Sequence, residues 1–173
     1  MINPLNAILV IILVMNLFAL GTSRILSVIR IIGFQGALLG TIPLFHEHLT
    51  VTAITAASAA IILKGIVIPN IMIKVLRDTN IKKEVEPLIG FMPSIILGAI
   101  ATAFALLFAT ESTQTEPGNL IIPASIATIL CGFILLTTRF KALSQVLGYL
   151  LLENGIYIFS ILLVKAIPLV IEM

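Results

Sequence analysis

Apolar positions along this chain fall into six long runs, at about residues 5–20, 25–45, 50–75, 88–110, 120–137 and 142–170, separated by short polar breaks. About 20 residues suffice for a helix to cross a bilayer at about 1.5 Å per residue, and the runs sit near that length. They are continuous rather than alternating, which sets membrane β-strands aside. The pattern predicts an all-α integral membrane protein, a single membrane domain over residues 1–173 with six transmembrane helices. Composition agrees: 60% of the residues are hydrophobic and only 10% charged, against roughly 25% charged in soluble domains.

The placement of charge gives an orientation. Arg24 and Arg30 follow the first run, Lys74, Arg77, Lys82 and Lys83 the third, and Arg139 and Lys141 the fifth. The opposite side carries Glu47, Glu111, Glu116 and Glu172 with His46 and His48, and its loops hold no Lys or Arg. The positive-inside rule makes the basic side cytoplasmic and puts both termini outside. The N-terminus has no basic region before its first run and no small-residue cleavage site after it, so it reads as a retained span. The single Cys131 offers neither a disulfide framework nor metal-ligand spacing. No nucleophile, phosphate loop or soluble cofactor module is visible, and nothing points to nucleic acid.

Against this apolar background, a few polar positions stand out. Glu153 and Asn154 lie together in Gly148-Tyr149-Leu150-Leu151-Leu152-Glu153-Asn154-Gly155. Glu153 is eleven residues from Ala142, about 17 Å along a helix and close to mid-bilayer. Lys64 is about fourteen residues into the third run, roughly 21 Å, and snorkelling cannot reach water from there. Ionisable groups at that depth are rare and expensive, so both are expected to be paired, neutral or beside a water path. Pro69, five residues after Lys64, should loosen the helix and free a carbonyl nearby. Gln35 adds a polar group in the second run, beside a small-residue pattern of Gly33, Gly36 and Gly40 that favours close helix approach. Lys165 can snorkel to the outer interface. His46-Glu47-His48 reads as solvated loop, and residues 78–86 as the one sustained polar connector. Bland alternatives hold for both buried charges: Glu153 as a protonated carboxyl hydrogen-bonded to a neighbouring helix, and Lys64 in a structural ion pair tying the third helix to Glu153 or to a neighbouring subunit.

A repeat is also visible. Thr22-Ser23-Arg24 followed by Gly33 matches Thr137-Thr138-Arg139 followed by Gly148, and Gly40 then aligns with Gly155, all at an offset of 115 residues. It pairs helices 1 and 2 with helices 5 and 6 in the same membrane orientation, a parallel repeat of the kind found in transporters. Helix 4 returns the chain to its starting side.

The Glu153-Asn154-Gly155 segment, with Arg139 nine residues before Gly148, resembles the conserved membrane segment of the hydrogenase-4 component E family. Lys64-Gly65-Ile66-Val67-Ile68-Pro69 resembles that family's buried Lys and following Pro. Such proteins are membrane subunits of energy-converting group 4 nickel–iron hydrogenases such as formate hydrogenlyases. They are related to chain 4L of respiratory NADH dehydrogenase and to a small subunit of cation/proton antiporters. The resemblance implies a non-catalytic subunit of an oxidoreductase complex in the cytoplasmic membrane of a prokaryote. It implies a proton or ion path through Glu153, Lys64, Asn154 and Gln35, with Arg30 and Arg139 secondary. It implies antiporter-like and quinone-site-like partner subunits, with the nickel–iron centre and iron–sulfur clusters in partners and no cofactor in this chain. Two departures are visible: Glu153 follows Gly148 by five residues, about a turn later than the key Glu of chain 4L, and the family's further C-terminal helix has no counterpart before Met173. A stand-alone small transporter and a purely structural assembly subunit are the competing readings.

Overall fold

The computed structural model describes residues 4–45, 51–78, 88–112 and 119–171. His46-Glu47-His48, residues 79–87 of the polar connector, Glu116, Glu172 and the side chains of Glu111 and Lys165 lie outside the described residues. The described residues are all-helical. They form α1 (Pro4–Gly21), α2 (Ile25–Gly40, followed by a 3-10 turn at Ile42–Phe45), α3 in three consecutive segments (α-helical Val51–Ala60, π-helical Ile61–Val67, α-helical Ile68–Asp78), α4 (Phe91–Ser112), α5 (Ile121–Thr138) and α6 (Ala142–Ile171). Six helices among the described residues are long and apolar enough to cross a membrane, making this a multi-pass membrane protein.

The second span leaves the α-helix at Gly40 rather than running to 45: the Thr41 N–H turns to the Leu38 carbonyl and a 3-10 turn follows. Two further boundaries move from the sequence reading, each for a local reason. The fourth span starts at Phe91 rather than 88 because Gly90 takes φ +80°, a left-handed conformation outside any α-helix. Pro93 then sits in the first turn, where its missing N–H costs nothing, and the Ser94 hydroxyl donates to the Gly90 carbonyl at 2.8 Å. The third span runs on to Asp78 because its last segment is amphipathic, burying Met72 and Leu76 on one face.

Helix association in a bilayer draws little on the hydrophobic effect, so small residues that let backbones approach do much of the work. The most extensive contact is the α5–α6 seam. There, a Cβ on Gly132 would lie 2.6 Å from the Leu152 nitrogen, one on Gly148 2.5 Å from the Leu136 nitrogen, and one on Gly155 2.7 Å from the Ile129 nitrogen. The expected glycine face of α2 meets α3 instead: Gly33 lies against Pro69, Gly36 against Lys64 and Gly40 against Ile61. The glycines at the 115-residue offset noted in the sequence therefore turn to different neighbours. Helices α2 and α5 are the most enclosed, while α3 and α4 are peripheral. Apolar layers join them, one around Leu20, Ile29, Leu135 and Leu147 and another around Leu9, Ile12, Leu39 and Ile158.

Three connectors gather at one end of the bundle. Arg139, between α5 and α6, is buried; its Nη2 donates to the Leu20 carbonyl in the last turn of α1 at 2.6 Å. A cation is favourable at that helix C-terminus. Its guanidinium also lies 5.1 Å from the centre of the Phe91 ring at the start of α4. The Leu88 N–H, just ahead of α4, donates to the Thr138 carbonyl at 2.8 Å. The ends carrying Arg24, Arg77 and Arg139 thus share one side of the bundle, as the charge alternation requires.

Gly132 on the α5–α6 seam and Gly98, on α4 against α1, differ in how much their neighbours can yield. Gly132→Ala meets backbone atoms of Leu152, whereas Gly98→Ala meets mainly the tip of Leu20, 2.4 Å from its Cδ1. Overpacking costs about 1–3 kcal/mol, and each kcal/mol moves Tm by about 2–4 °C at this size. Thermal melts in detergent, followed by circular dichroism, should show Gly132→Ala losing several degrees and Gly98→Ala losing less. The reverse order would mean that the α5–α6 seam yields as easily as a side chain.

Candidate functional site

The site begins with the local structure of α3. The Ile68 N–H donates to the Leu63 carbonyl five residues back, the π-helical register. The next donor in that register would be Pro69, which has no N–H, so the Lys64 carbonyl loses that partner. Such π segments inside α-helices are frequent at functional sites. The sequence reading of a loosened helix before Pro69 is met by this particular distortion. Gly36 then decides how close Lys64 comes to the bundle: a Cβ there would lie 2.8 Å from the Lys64 Cβ, so only glycine leaves room.

From this position the ammonium reaches α6. Lys64 Nζ lies 3.1 Å from Glu153 Oε1. It donates to Asn154 Oδ1 at 3.3 Å and stands 5.1 Å from the centre of the Tyr157 ring. Positions 153, 154 and 157 share one face of α6, because residues three and four apart in a helix are neighbours. The pair is unevenly covered: the Lys64 side chain is 17% exposed and that of Glu153 42%. Lys64 thus points into the protein, while Glu153 lies at the edge of the α3–α6 face.

Gln35 joins a second polar group. Its Nε2 donates to Asn16 Oδ1 at 2.9 Å, and Asn16 Nδ2 donates to Thr128 Oγ1 at 2.9 Å. The Thr128 hydroxyl donates to the Ala124 carbonyl at 2.7 Å. Asn16, Gln35 and Thr128 are fully buried.

Four of the residues singled out in the sequence thus come into the membrane interior on neighbouring helices: Lys64, Glu153 and Asn154 in direct contact, and Gln35 in the adjoining group. Arg30 is exposed on α2. Arg139 belongs to the connector end described above, where burial lowers its guanidinium from its ordinary range. Asn16, Thr128 and Tyr157 were missed. Asn16 carried a signal equal to that of Gln35, an amide inside an apolar run. Thr128 carried none, since a threonine can satisfy its hydroxyl on its own helix, and Tyr157 gains meaning only from its place one turn after Glu153.

Chemically, the arrangement offers one cation and one carboxylate with amide support. The low-dielectric surroundings disfavour charge on either group, and pairing favours it on both. Separation of the pair would leave two costly charges inside the spans. Lys64→Met alone should lower Tm by several degrees, at the low side of the roughly 3–5 kcal/mol typical of a broken buried pair because Glu153 is partly exposed. Lys64→Met with Glu153→Met should recover most of that loss, as replaced pairs commonly do. Melts in which the double variant falls as far as the sum of both singles would show that the pair makes no joint contribution.

No family model matches the chain, and no solved structure matches it. Over 152 residues it is 30% identical to the uncharacterized protein Rv0085 of Mycobacterium tuberculosis, a match covering 85% of this chain and 69% of that protein. On that likeness, the chain belongs to the same family as the mycobacterial protein Rv0085.

Proposed function

We propose that this chain is a membrane-arm subunit of a complex I-like energy-converting hydrogenase, forming part of its proton or ion path and holding neighbouring antiporter-like and quinone-site-like subunits. The observation that carries this reading is the Lys64–Glu153 pair at 3.1 Å, on facing helices within two membrane spans. An ionisable pair at such depth is a mark of ion pathways and proton relays. The resemblance of the Glu153-Asn154-Gly155 and Lys64–Pro69 segments to hydrogenase-4 component E adds the class of complex. Redox chemistry, with its nickel–iron centre and iron–sulfur clusters, belongs to partner subunits in this reading.

The mechanism follows from the site. With Lys64 against Glu153, both groups are charged and mutually stabilised. A charge moving in a neighbouring subunit draws Lys64 away; Glu153 then takes up a proton, and the return of Lys64 expels it. The half-exposed side of Glu153 supports a partner seated on the α3–α6 face, because a carboxylate turned to lipid at that depth is costly. The π segment supports movement of Lys64, since it breaks the regular hydrogen-bond register at that residue.

The orientation belongs to the same reading: basic connectors cytoplasmic, both termini outside, in the inner membrane of a prokaryote. So does the parallel repeat. Its support is the backbone of its two arginines, extended at both Arg24 (φ −98°, ψ 118°) and Arg139 (φ −109°, ψ 133°), each at a turn between consecutive spans.

Two measurements test the proposal. In the assembled complex reconstituted in liposomes, Glu153→Gln should reduce ion translocation at least about tenfold, the scale expected when a positioned proton-transfer group is removed, while redox turnover by the partner subunits persists. Undiminished translocation would remove the carboxylate from the path. In a Cys131→Ser background, a cysteine replacing Lys83 should react with an impermeant maleimide only from the cytoplasmic side, and one replacing Glu116 only from the other. Labelling with the sides exchanged would invert the orientation.

A further inference from the structure

Two buried polar atoms near the ion pair are left over. Among the described residues, Gln35 Oε1 and Asn154 Nδ2 have no hydrogen-bond partner, although Gln35 is 0% exposed and Asn154 2%. Unpaired polar atoms at that depth are costly, and native structures rarely keep them without a water or another partner.

Their chemistry is complementary, and the surrounding bonds dictate it. The Thr128 hydroxyl spends its one proton on the Ala124 carbonyl, so toward Asn16 it can only accept. Asn16 must therefore present Nδ2 to Thr128 and Oδ1 to Gln35. Gln35 answers with Nε2 and is left with a free acceptor, Oε1. On the other side, the Lys64 ammonium can only donate. Asn154 gives it Oδ1 and keeps a free donor, Nδ2. Packing brings the two amides to one level. A Cβ on Gly36, next to Gln35, would lie 3.6 Å from Asn154 Oδ1. A Cβ on Gly155, next to Asn154, would lie 2.7 Å from the nitrogen of Ile129, the residue after Thr128. Asn154 thus lies beside Gly36 on α2, and its chain neighbour Gly155 lies beside Ile129 on α5.

We propose that Gln35 Oε1 and Asn154 Nδ2 hold one bound water between them, accepting from Asn154 and donating to Gln35. Two polar partners are the minimum such a water needs. It joins both groups into one chain, Thr128–Asn16–Gln35–water–Asn154–Lys64–Glu153, which crosses α5, α1, α2, α6 and α3. Gln35, Asn16 and Thr128 are then positioning residues: they orient Asn154 so that its oxygen faces Lys64, and they tie the pair to the interior helices. The effect on translocation rests on the proposed role of Glu153; the bound water does not.

The test uses the full chain in lipid nanodiscs. Gln35→Met and Asn154→Leu each break the chain at the water, so the double variant should lose clearly less in Tm than the sum of the singles, since only groups sharing a partner or network couple. Additive losses would overturn the shared water. Thr128→Val against Thr128→Ser then separates positioning from bulk. In the reconstituted complex, the valine variant should slow translocation severalfold, and the serine variant, which keeps the hydroxyl, should restore it. Equal rates in both variants would overturn the positioning role. Normal translocation by Glu153→Gln would defeat the ion-path reading alone, leaving the melting comparison to decide the water.

Discussion

A lysine ammonium in the middle of a membrane span needs a counter-charge, and the close approach of α2 to α3 is what brings Lys64 to one. Gly33, Gly36 and Gly40 remove the side chains that would hold α3 away, and Gly36 receives the stem of Lys64. From there the ammonium meets Glu153 and Asn154 on α6. A bulkier α2 face would push α3 outward and leave two charges stranded in hydrocarbon. The small-residue contact between α2 and α3 and the polar contact between α3 and α6 therefore depend on each other, one supplying proximity and the other removing the electrostatic cost.

Rigidity is divided unequally around this contact. Backbone meets backbone along the α5–α6 seam, and Arg139 binds the α1 terminus and the start of α4 to the α5–α6 turn. Glu153 and Asn154 thus project from a helix packed backbone to backbone against α5 at Gly148 and Gly155. Lys64 projects from a peripheral helix whose hydrogen-bond register is broken at that point. A fixed carboxylate facing a cation on a loosened helix suits a site whose two groups come together and part. The same asymmetry accounts for the differing surroundings of the aligned glycines: in the first half of the chain they accept α3, in the second half α5.

A great deal was legible in the sequence. The six spans, their approximate ends and the presence of Lys64, Glu153, Asn154 and Gln35 as polar groups inside apolar runs all follow from rules that act residue by residue. Apolar length, charge and depth are properties of a segment alone, and a bilayer imposes them without reference to any neighbour. Pro69 announced a distortion for the same reason, because its missing N–H is a local fact. Family membership came from comparison with the mycobacterial relative, which carries no statement of function.

What the sequence could not decide was which polar groups meet. Lys64 and Glu153 lie in distant spans, and whether they pair depends on helix rotation and crossing, which are set by where glycines allow contact. The same holds for Asn16, whose importance appears only when Thr128 is found opposite it, and for Arg139, which reads as a loop cation in the sequence and is a buried link between helix ends in the fold. The sequence by itself determined that the chain crosses the membrane and which residues are too polar for lipid. Tertiary structure alone decided their partners, because a hydrogen bond or ion pair between spans requires two surfaces to be brought together, and no single segment contains both.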